Sequence, residues 1–269
     1  MKSQDTVSVP IRRRSGVGST NIAAIVGLSD IISYILEKGQ SINLSKDCIE
    51  SVESLGLGDE IEESYRIWER DFLDTIESTL TAFARGVHRA LITDVLNQRK
   101  AYLLTQTDII RFIHANPSVV SASIDLTIPI KISLLKQLGD PSSVITMRDN
   151  RTVIDGLALM KEKKIAAVPV VDKDGKIVAN FSASDLRGIT EAGLVELKKP
   201  VLEYLKSANG HIRNPILCTP QTSLSEVLEL LVTNRIHQLW VVDSPENPIP
   251  TGVVTRSDII GTLVGVEAR

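Results

Sequence analysis

Four times along the chain a short apolar strand ends in a Ser-Asp or Thr-Asp pair that opens an apolar helical pattern: AIVGLSDIISYI with Asp30, AYLLTQTDIIRFI with Asp108, KIVANFSASDLRGI with Asp185 and TGVVTRSDIIGTL with Asp258. Successive aspartates lie 78, 77 and 73 residues apart. That spacing is too even for chance and too long for a solenoid repeat, so the chain reads as four copies of one small module. Upstream of three of the aspartates runs a second apolar strand closing on Asp, in VHRALITD, IAAVPVVD and IHQLWVVD, with VSVPI as its fragment in the first copy. Before those three strands, LDTIESTLTAFARG, TVIDGLALMKEKK and SLSEVLELLVTNR place apolar residues at i, i+3, i+4 and i+7, the period of a helix. Thr152 and Ser223 stand where the last two need N-caps. A module therefore reads strand, helix, strand, turn, strand, helix, an α/β (α+β) unit.

That order, with strands ending in VVD and a later strand running into SxSD, resembles the cystathionine-beta-synthase (CBS) domain over nearly the whole chain. The resemblance implies four modules, at 1–38, 45–116, 127–193 and 196–265, the first N-terminally incomplete because few residues precede VSVPI. CBS modules pack sheet to sheet as Bateman pairs, so two pairs are expected, roughly 1–116 and 127–265, joined by SIDLTIPIK with Pro129. VHRALITD and IHQLWVVD each place a His before the second strand of an even-numbered module. In this the chain resembles the gamma regulatory subunit of AMP-activated protein kinase and its yeast and plant counterparts, where matching VHRL and IHRL segments supply His and Arg to adenine-nucleotide phosphates. The match is closest from PILCTPQTSLSEVLELLVTNRIHQLWVVD to GVVTRSDII, and AAVPVVDKDGKIVANFSASDL follows it. Gln238 departs from the pattern by replacing the second basic residue beside His237.

An Asp at a helix start can accept hydrogen bonds from both ribose hydroxyls, while hydroxyl side chains and unpaired helix amides face a phosphate. The resemblance thus assigns ribose to Asp30, Asp108, Asp185 and Asp258. It assigns phosphate to His88, Arg89, His237, Thr255, Arg256, Ser257, Ser182 and Ser184, with Thr105 and Thr107 equivalent in the second module. Arg256 would partly replace the charge missing at Gln238, unless strand alternation turns it to solvent. Aliphatic strands would sandwich the adenine, in keeping with a chain only 4% aromatic. The plainer alternatives remain open: the aspartates as helix N-caps, and the histidines as surface positions before buried strands. Modules three and four carry the better-matched cleft.

A net charge of −3 with both signs mixed gives no broad basic face for nucleic acid. No apolar run approaches a membrane span of roughly 18 residues. Cys48 and Cys218 have no metal-ligand spacing and read as reduced thiols, so a soluble, reducing compartment is expected, the cytoplasm or also the nucleus. GVGSTN lacks the full dinucleotide fingerprint, and no GxSxG, HExxH or GxxxxGK[ST] occurs, which points to a sensor and not an enzyme, without catalytic residues, catalytic cofactor or metal. IRRRSG, residues 11–16, fits a loose basophilic-kinase pattern at Ser15 but reads first as a solvated turn, and KEKK at 161–164 as a helix end. Residues 58–71, GDEIEESYRIWERD, read as a linker helix or partner surface, and LGDPSS (138–143) and SPENPIPTG (244–252) as loops.

The resemblance implies an adenine-nucleotide-sensing subunit that binds AMP, ADP and ATP beside a kinase catalytic subunit and a beta scaffold subunit. Two alternatives differ in class: a free-standing CBS regulator of another adenosyl compound such as S-adenosylmethionine, and a structural interaction protein whose clefts bind nothing.

Overall fold

The apolar strands that close on aspartate become the middle strands of three-stranded sheets. The structure is a computed structural model, and it describes residues 8–12, 22–38, 68–94, 99–120, 124–133, 144–187, 189–190 and 192–266. The first module contributes β1 (Ser8–Arg12), antiparallel to β2 (Ile22–Gly27), and α1 (Leu28–Lys38). In the second, β3 (Trp68–Asp71) crosses through α2 (Ile76–Ala84) to a parallel β4 (Arg89–Asp94). Strand β4 then pairs antiparallel with β5 (Arg99–Thr105), which runs into α3 (Gln106–Ala115). The third repeats this as β6 (Met147–Arg148), α4 (Val153–Lys163), β7 (Ala167–Val171) and β8 (Ile177–Ser182), followed by α5 (Val201–Asn209). The fourth repeats it as β9 (Leu217–Cys218), α6 (Leu224–Thr233), β10 (Gln238–Ser244), β11 (Asn247–Thr255) and α7 (Arg256–Val264).

All five residues of β7 are buried, as a strand covered on both faces requires, whereas β8 alternates buried and half-buried positions with the period of two of an edge strand. The Asp that ends IAAVPVVD builds a turn. Asp172 Oδ1 accepts the amides of Asp174 and Lys176, both at 2.9 Å, and Gly175 takes the positive φ of 83° that closes the hairpin. Thr152 and Ser223 cap α4 and α6 as expected, each in a reciprocal capping box with the third helical residue, Asp155 or Glu226.

Four local expectations are corrected. Trp68–Asp71 is a strand and not a linker helix; four residues with three charges show no readable period, and Trp68 gives it an anchor against the core. Asn247–Gly252 belongs to β11, where Pro248 and Pro250 are tolerated because the strand lies at a sheet edge with register shifts. Asp185 opens only a 3-10 turn, Ala183–Leu186, because the β-branched Ile189 and Thr190 that follow disfavour a longer helix. The packing also regroups the modules. Among the described residues one compact unit combines the first and third modules and the other the second and fourth, not 1–116 and 127–265.

Helices join the modules within each unit. In the first unit α1 packs on α4 and on the turn that carries Asp185, burying Ile32, Tyr34 and Ile35 with Leu157 and Met160, and Lys161 meets Glu37 at 2.8 Å. Val201, Tyr204 and Leu205 of α5 complete this core, so α5 packs with the third module although it lies beyond the expected boundary at 196. In the second unit α2 packs on α7, and α3 on α6 and α7, around Phe83, Ile110, Leu228 and Ile260. The joining segment docks on the start of α6, where the Leu224 and Ser225 amides donate to the carbonyls of Ile128 (3.2 Å) and Leu126 (2.8 Å). Cys48, Ser15 and LGDPSS lie outside the described residues. Cys218 is buried and its thiol is pushed up to about 12 by that burial, an unreactive environment.

Candidate functional site

The four aspartates occupy one local geometry, though not the N-cap. In each module Oδ2 accepts the backbone amide three residues earlier: Gly27 to Asp30 at 2.7 Å, Thr105 to Asp108 at 2.9 Å, Ser182 to Asp185 at 2.8 Å and Thr255 to Asp258 at 2.6 Å. The cap is the earlier residue. Its hydroxyl donates to the same Oδ2, at 2.7 Å from Thr105, 3.0 Å from Ser182 and 2.7 Å from Thr255. Gly27 brings no hydroxyl, which leaves the first module with the backbone half of the arrangement. Each box supports its helix start by about 1 kcal/mol. Oδ1 of Asp108 and Oδ1 of Asp258 take part in none of these bonds.

The expected residues of the second and fourth modules lie together in the second unit, whereas Asp30, Ser182, Ser184 and Asp185 lie in the first. The first amide of α3, on Gln106, donates to the His88 carbonyl at 3.2 Å, and the first amide of α7, on Arg256, donates to the His237 carbonyl at 3.4 Å. The third amides, on Asp108 and Asp258, are held at 3.3 Å by the hydroxyls of Thr105 and Thr255. The amides between them, on Thr107 and Ser257, are engaged by none of these bonds. Each helix thus presents an open N–H beside a histidine, at the positive end of its dipole.

Arg256 takes neither of the orientations considered from sequence. It is 6% exposed; its Nη1 donates to Thr107 Oγ1 of the opposite module and its Nη2 to the Ile236 carbonyl at 2.7 Å. Buried Nε has no partner. Burial and then the neighbouring Arg111 push Arg256 down to about 10, against the pull of Asp108, so it remains a cation at neutral pH. Its charge reaches the site, but its donors are directed into the protein. The residue that sequence reasoning missed is Gln106, whose Nε2 donates to Phe83 O (2.9 Å), Val87 O (3.2 Å) and Ser257 Oγ (2.9 Å). A signal existed: TQTD and TRSD place a long polar side chain where GLSD and SASD have Leu28 and Ala183.

His88 and His237 are both exposed. Desolvation by its dense surroundings, then Arg89 and Arg256, push His88 down from 6.5 to about 4. The exposed edge admits water, so crowding weighs less than the packing around the ring suggests; the two guanidiniums act in the same direction at any hydration. A folded pKa below the unfolded one means that the neutral ring's contribution to stability is full above about 6.5 and is lost as pH falls toward about 4. Thermal melts between pH 7 and 4.5 should therefore show a midpoint that falls less in His88→Gln than in the parent chain. Equal slopes would place the titration elsewhere. Burial is the first cause that raises Asp258 and Asp185 above the usual carboxylate range.

In the first unit Ser182 and Ser184 share a hydrogen bond of 2.8 Å beside Asp185, and the Tyr204 hydroxyl donates to the Asp185 carbonyl at 3.1 Å. The amide of Ala183 donates to the Ala166 carbonyl, so Ala166 stands where the even modules have histidine. Among the described residues no group of three or more His, Cys, Asp or Glu is placed to hold a metal, and no helix is long and apolar enough to cross a membrane.

Residues 140–190 and 210–265 match the CBS domain family. A protein of Arabidopsis thaliana named SNF1-related protein kinase regulatory subunit gamma-like PV42a is 26% identical over 93% of this chain and 78% of its own length. The 5'-AMP-activated protein kinase subunit gamma of Dictyostelium discoideum is 26% identical over 96% of this chain and 45% of its own length. A Methanocaldococcus jannaschii protein described as a candidate archaeal homologue of gamma-AMPK shares the fold, with a TM-score of 0.67 at 20% identity, covering 97% of this chain and 89% of its own. Residues 140–190 and 210–265 are thus similar to CBS domains, and most of the chain is similar to proteins named as gamma regulatory subunits.

Proposed function

We propose that this chain is a non-catalytic, adenine-nucleotide-sensing regulatory subunit, and that the second and fourth modules hold its principal site. The observation that carries the reading is the facing of two capped helix starts, each with an open second amide, a histidine joined to its first amide, and an aspartate with one uncommitted carboxylate oxygen. Asp108 and Asp258 would hold ribose hydroxyls through Oδ1. His88, Arg89 and His237, with the amides of Thr107 and Ser257, would receive the phosphates. AMP, ADP and ATP would compete there, and occupancy would bias how a kinase catalytic subunit and a beta scaffold are held, which requires different ligand affinity in the two assembly states. The partner assignment rests on the relatives named as kinase gamma subunits, and copurification of the tagged chain with a kinase subunit tests it.

Calorimetric titration of the full chain with AMP, ATP, adenosine and S-adenosylmethionine at matched ionic strength tests the ligand. Saturable AMP binding displaced by ATP is expected. One feature favours a second reading, a phosphate-free adenosyl ligand: Arg256 directs its donors inward and Gln238 is uncharged, so the site has fewer phosphate ligands than its charge suggests. Selective binding of S-adenosylmethionine would favour that ligand, and no heat with any compound, backed by a second binding probe, would overturn both.

A further inference from the structure

Gln106 and Arg256 are related by more than position. Each is the first residue of its helix, each donates its amide to the carbonyl of its module's histidine, and each sends a side-chain donor to the carbonyl just before that histidine, Val87 or Ile236. Both carbonyls flanking the histidine Cα are therefore held by one residue, which restricts the direction in which the imidazole leaves the backbone. Each side chain then crosses to the other module and meets the hydroxyl two places before the opposite helix's fourth residue: Gln106 reaches Ser257, and Arg256 reaches Thr107. The two connections form a closed reciprocal pair. Both residues are buried, and in the first unit the matching Leu28 and Ala183 can donate nothing from their side chains.

We propose that Gln106 and Arg256 form a reciprocal latch that positions His88 and His237 and couples the α3 and α7 helix starts, so that one half of the site responds to changes in the other. This deepens the nucleotide-sensing reading and rests on it for its consequence in binding. Thr107 and Ser257 are on this view latch acceptors through their hydroxyls, while their backbone amides remain for the ligand. Gln106 and Arg256 are positioning residues, acting through the histidines.

Gln106→Leu is the informative variant because it removes the latch from one side without changing charge. The chain has four histidines, so their ring resonances can be followed individually in the full protein. Gln106→Leu is expected to shift the ring signals of His237, a residue of the other module that Gln106 does not bond. Arg256→Met is expected to move the His88 titration upward, since Arg89 and Arg256 are the cations facing that ring, with Arg111 and Asp108 beside Arg256. Each variant should weaken AMP by about tenfold, the loss expected for one or two hydrogen bonds to a charged ligand, and adenosine by less than about twofold. Arg256→Lys should recover part of the AMP loss through the bond to Thr107. Thr107→Val, which removes only an acceptor hydroxyl, covers the case in which Arg256→Met does not fold. A folded Gln106→Leu protein with unmoved His237 signals overturns the latch. Failure of the parent chain to bind AMP overturns the nucleotide reading alone, because the histidine response is measured without ligand.

Discussion

Asp258→Ala should weaken adenosine and AMP alike by about a hundredfold, while leaving the melting temperature of the chain nearly unchanged. The affinity loss follows from removing a carboxylate oxygen that would accept charge-assisted bonds from ribose, each bond contributing roughly 1.5–3 kcal/mol. The small stability change follows from two opposed contributions. Oδ2 of Asp258 closes the box at the start of α7 with the Thr255 amide and hydroxyl, at 2.6 and 2.7 Å, and losing a cap costs about 1 kcal/mol. Against this, the carboxylate is 9% exposed and its pKa is raised, first by burial and against the two Thr255 bonds. A raised acid pKa contributes stability only below the ordinary value of 3.8 and loses it as pH rises through the folded value, so at neutral pH the charged group is a burden on the fold. The substitution removes both. His237→Ala separates the two halves of the ligand, since it should weaken AMP and spare adenosine. Calorimetric titration with both ligands and thermal melts on the same samples measure all of this; adenosine affinity untouched by Asp258→Ala would remove ribose from the assignment, and equal losses of adenosine and AMP in His237→Ala would remove phosphate.

The parts of this arrangement that could be read from the chain are those in which local chemistry and periodicity agree. A hydroxyl, two intervening residues and an acid before an apolar run describe a capping box, and Thr105, Ser182 and Thr255 hold the geometry that this pattern dictates. What sequence left ambiguous was which member caps: the acid looked like the cap and is the third helical residue, because the hydroxyl three places earlier already has extended backbone, at φ −111° and ψ 168° for Thr255. Strand β3 was hidden by its composition, since Trp68–Asp71 takes its place from pairing with β4 and not from alternation. The grouping of modules was hidden for a different reason. Adjacent modules are the default partners when connections are short, but α2, α3, α6 and α7 offer apolar faces to one another without regard to chain order, and burial decides. Arg256 and Gln106 were the hardest to place. A polar residue at a helix start is usually solvated, and only the three-dimensional approach of two such starts gives each side chain an acceptor in the other module.

The largest effect on stability is expected in the first unit, where Gly156 of α4 has no room for a side chain. A Cβ added there would lie 2.7 Å from Met147 Sδ and 2.8 Å from Phe181 Cε1, and Phe181 is fully buried on β8. Phe181→Ala should cost about 3–5 kcal/mol by opening a cavity against α4. Gly156→Ala should cost about 1–3 kcal/mol by overpacking, reduced by the roughly 1 kcal/mol by which Ala favours a helix over Gly. These two sites share the same space, so their effects cannot add. In Gly156→Ala combined with Phe181→Leu the ring edge that crowds the new methyl is gone, the helix gains from Ala, and the methyl occupies part of the volume that the ring vacated. The double variant should therefore be more stable than the sum of its single variants by about 0.5–3 kcal/mol. Urea unfolding of the four proteins, followed at a probe in the third module, gives the coupling directly. Strict additivity would mean that the crowding at Gly156 comes from Met147 Sδ, 2.7 Å from the added Cβ, and not from the aromatic ring beside it.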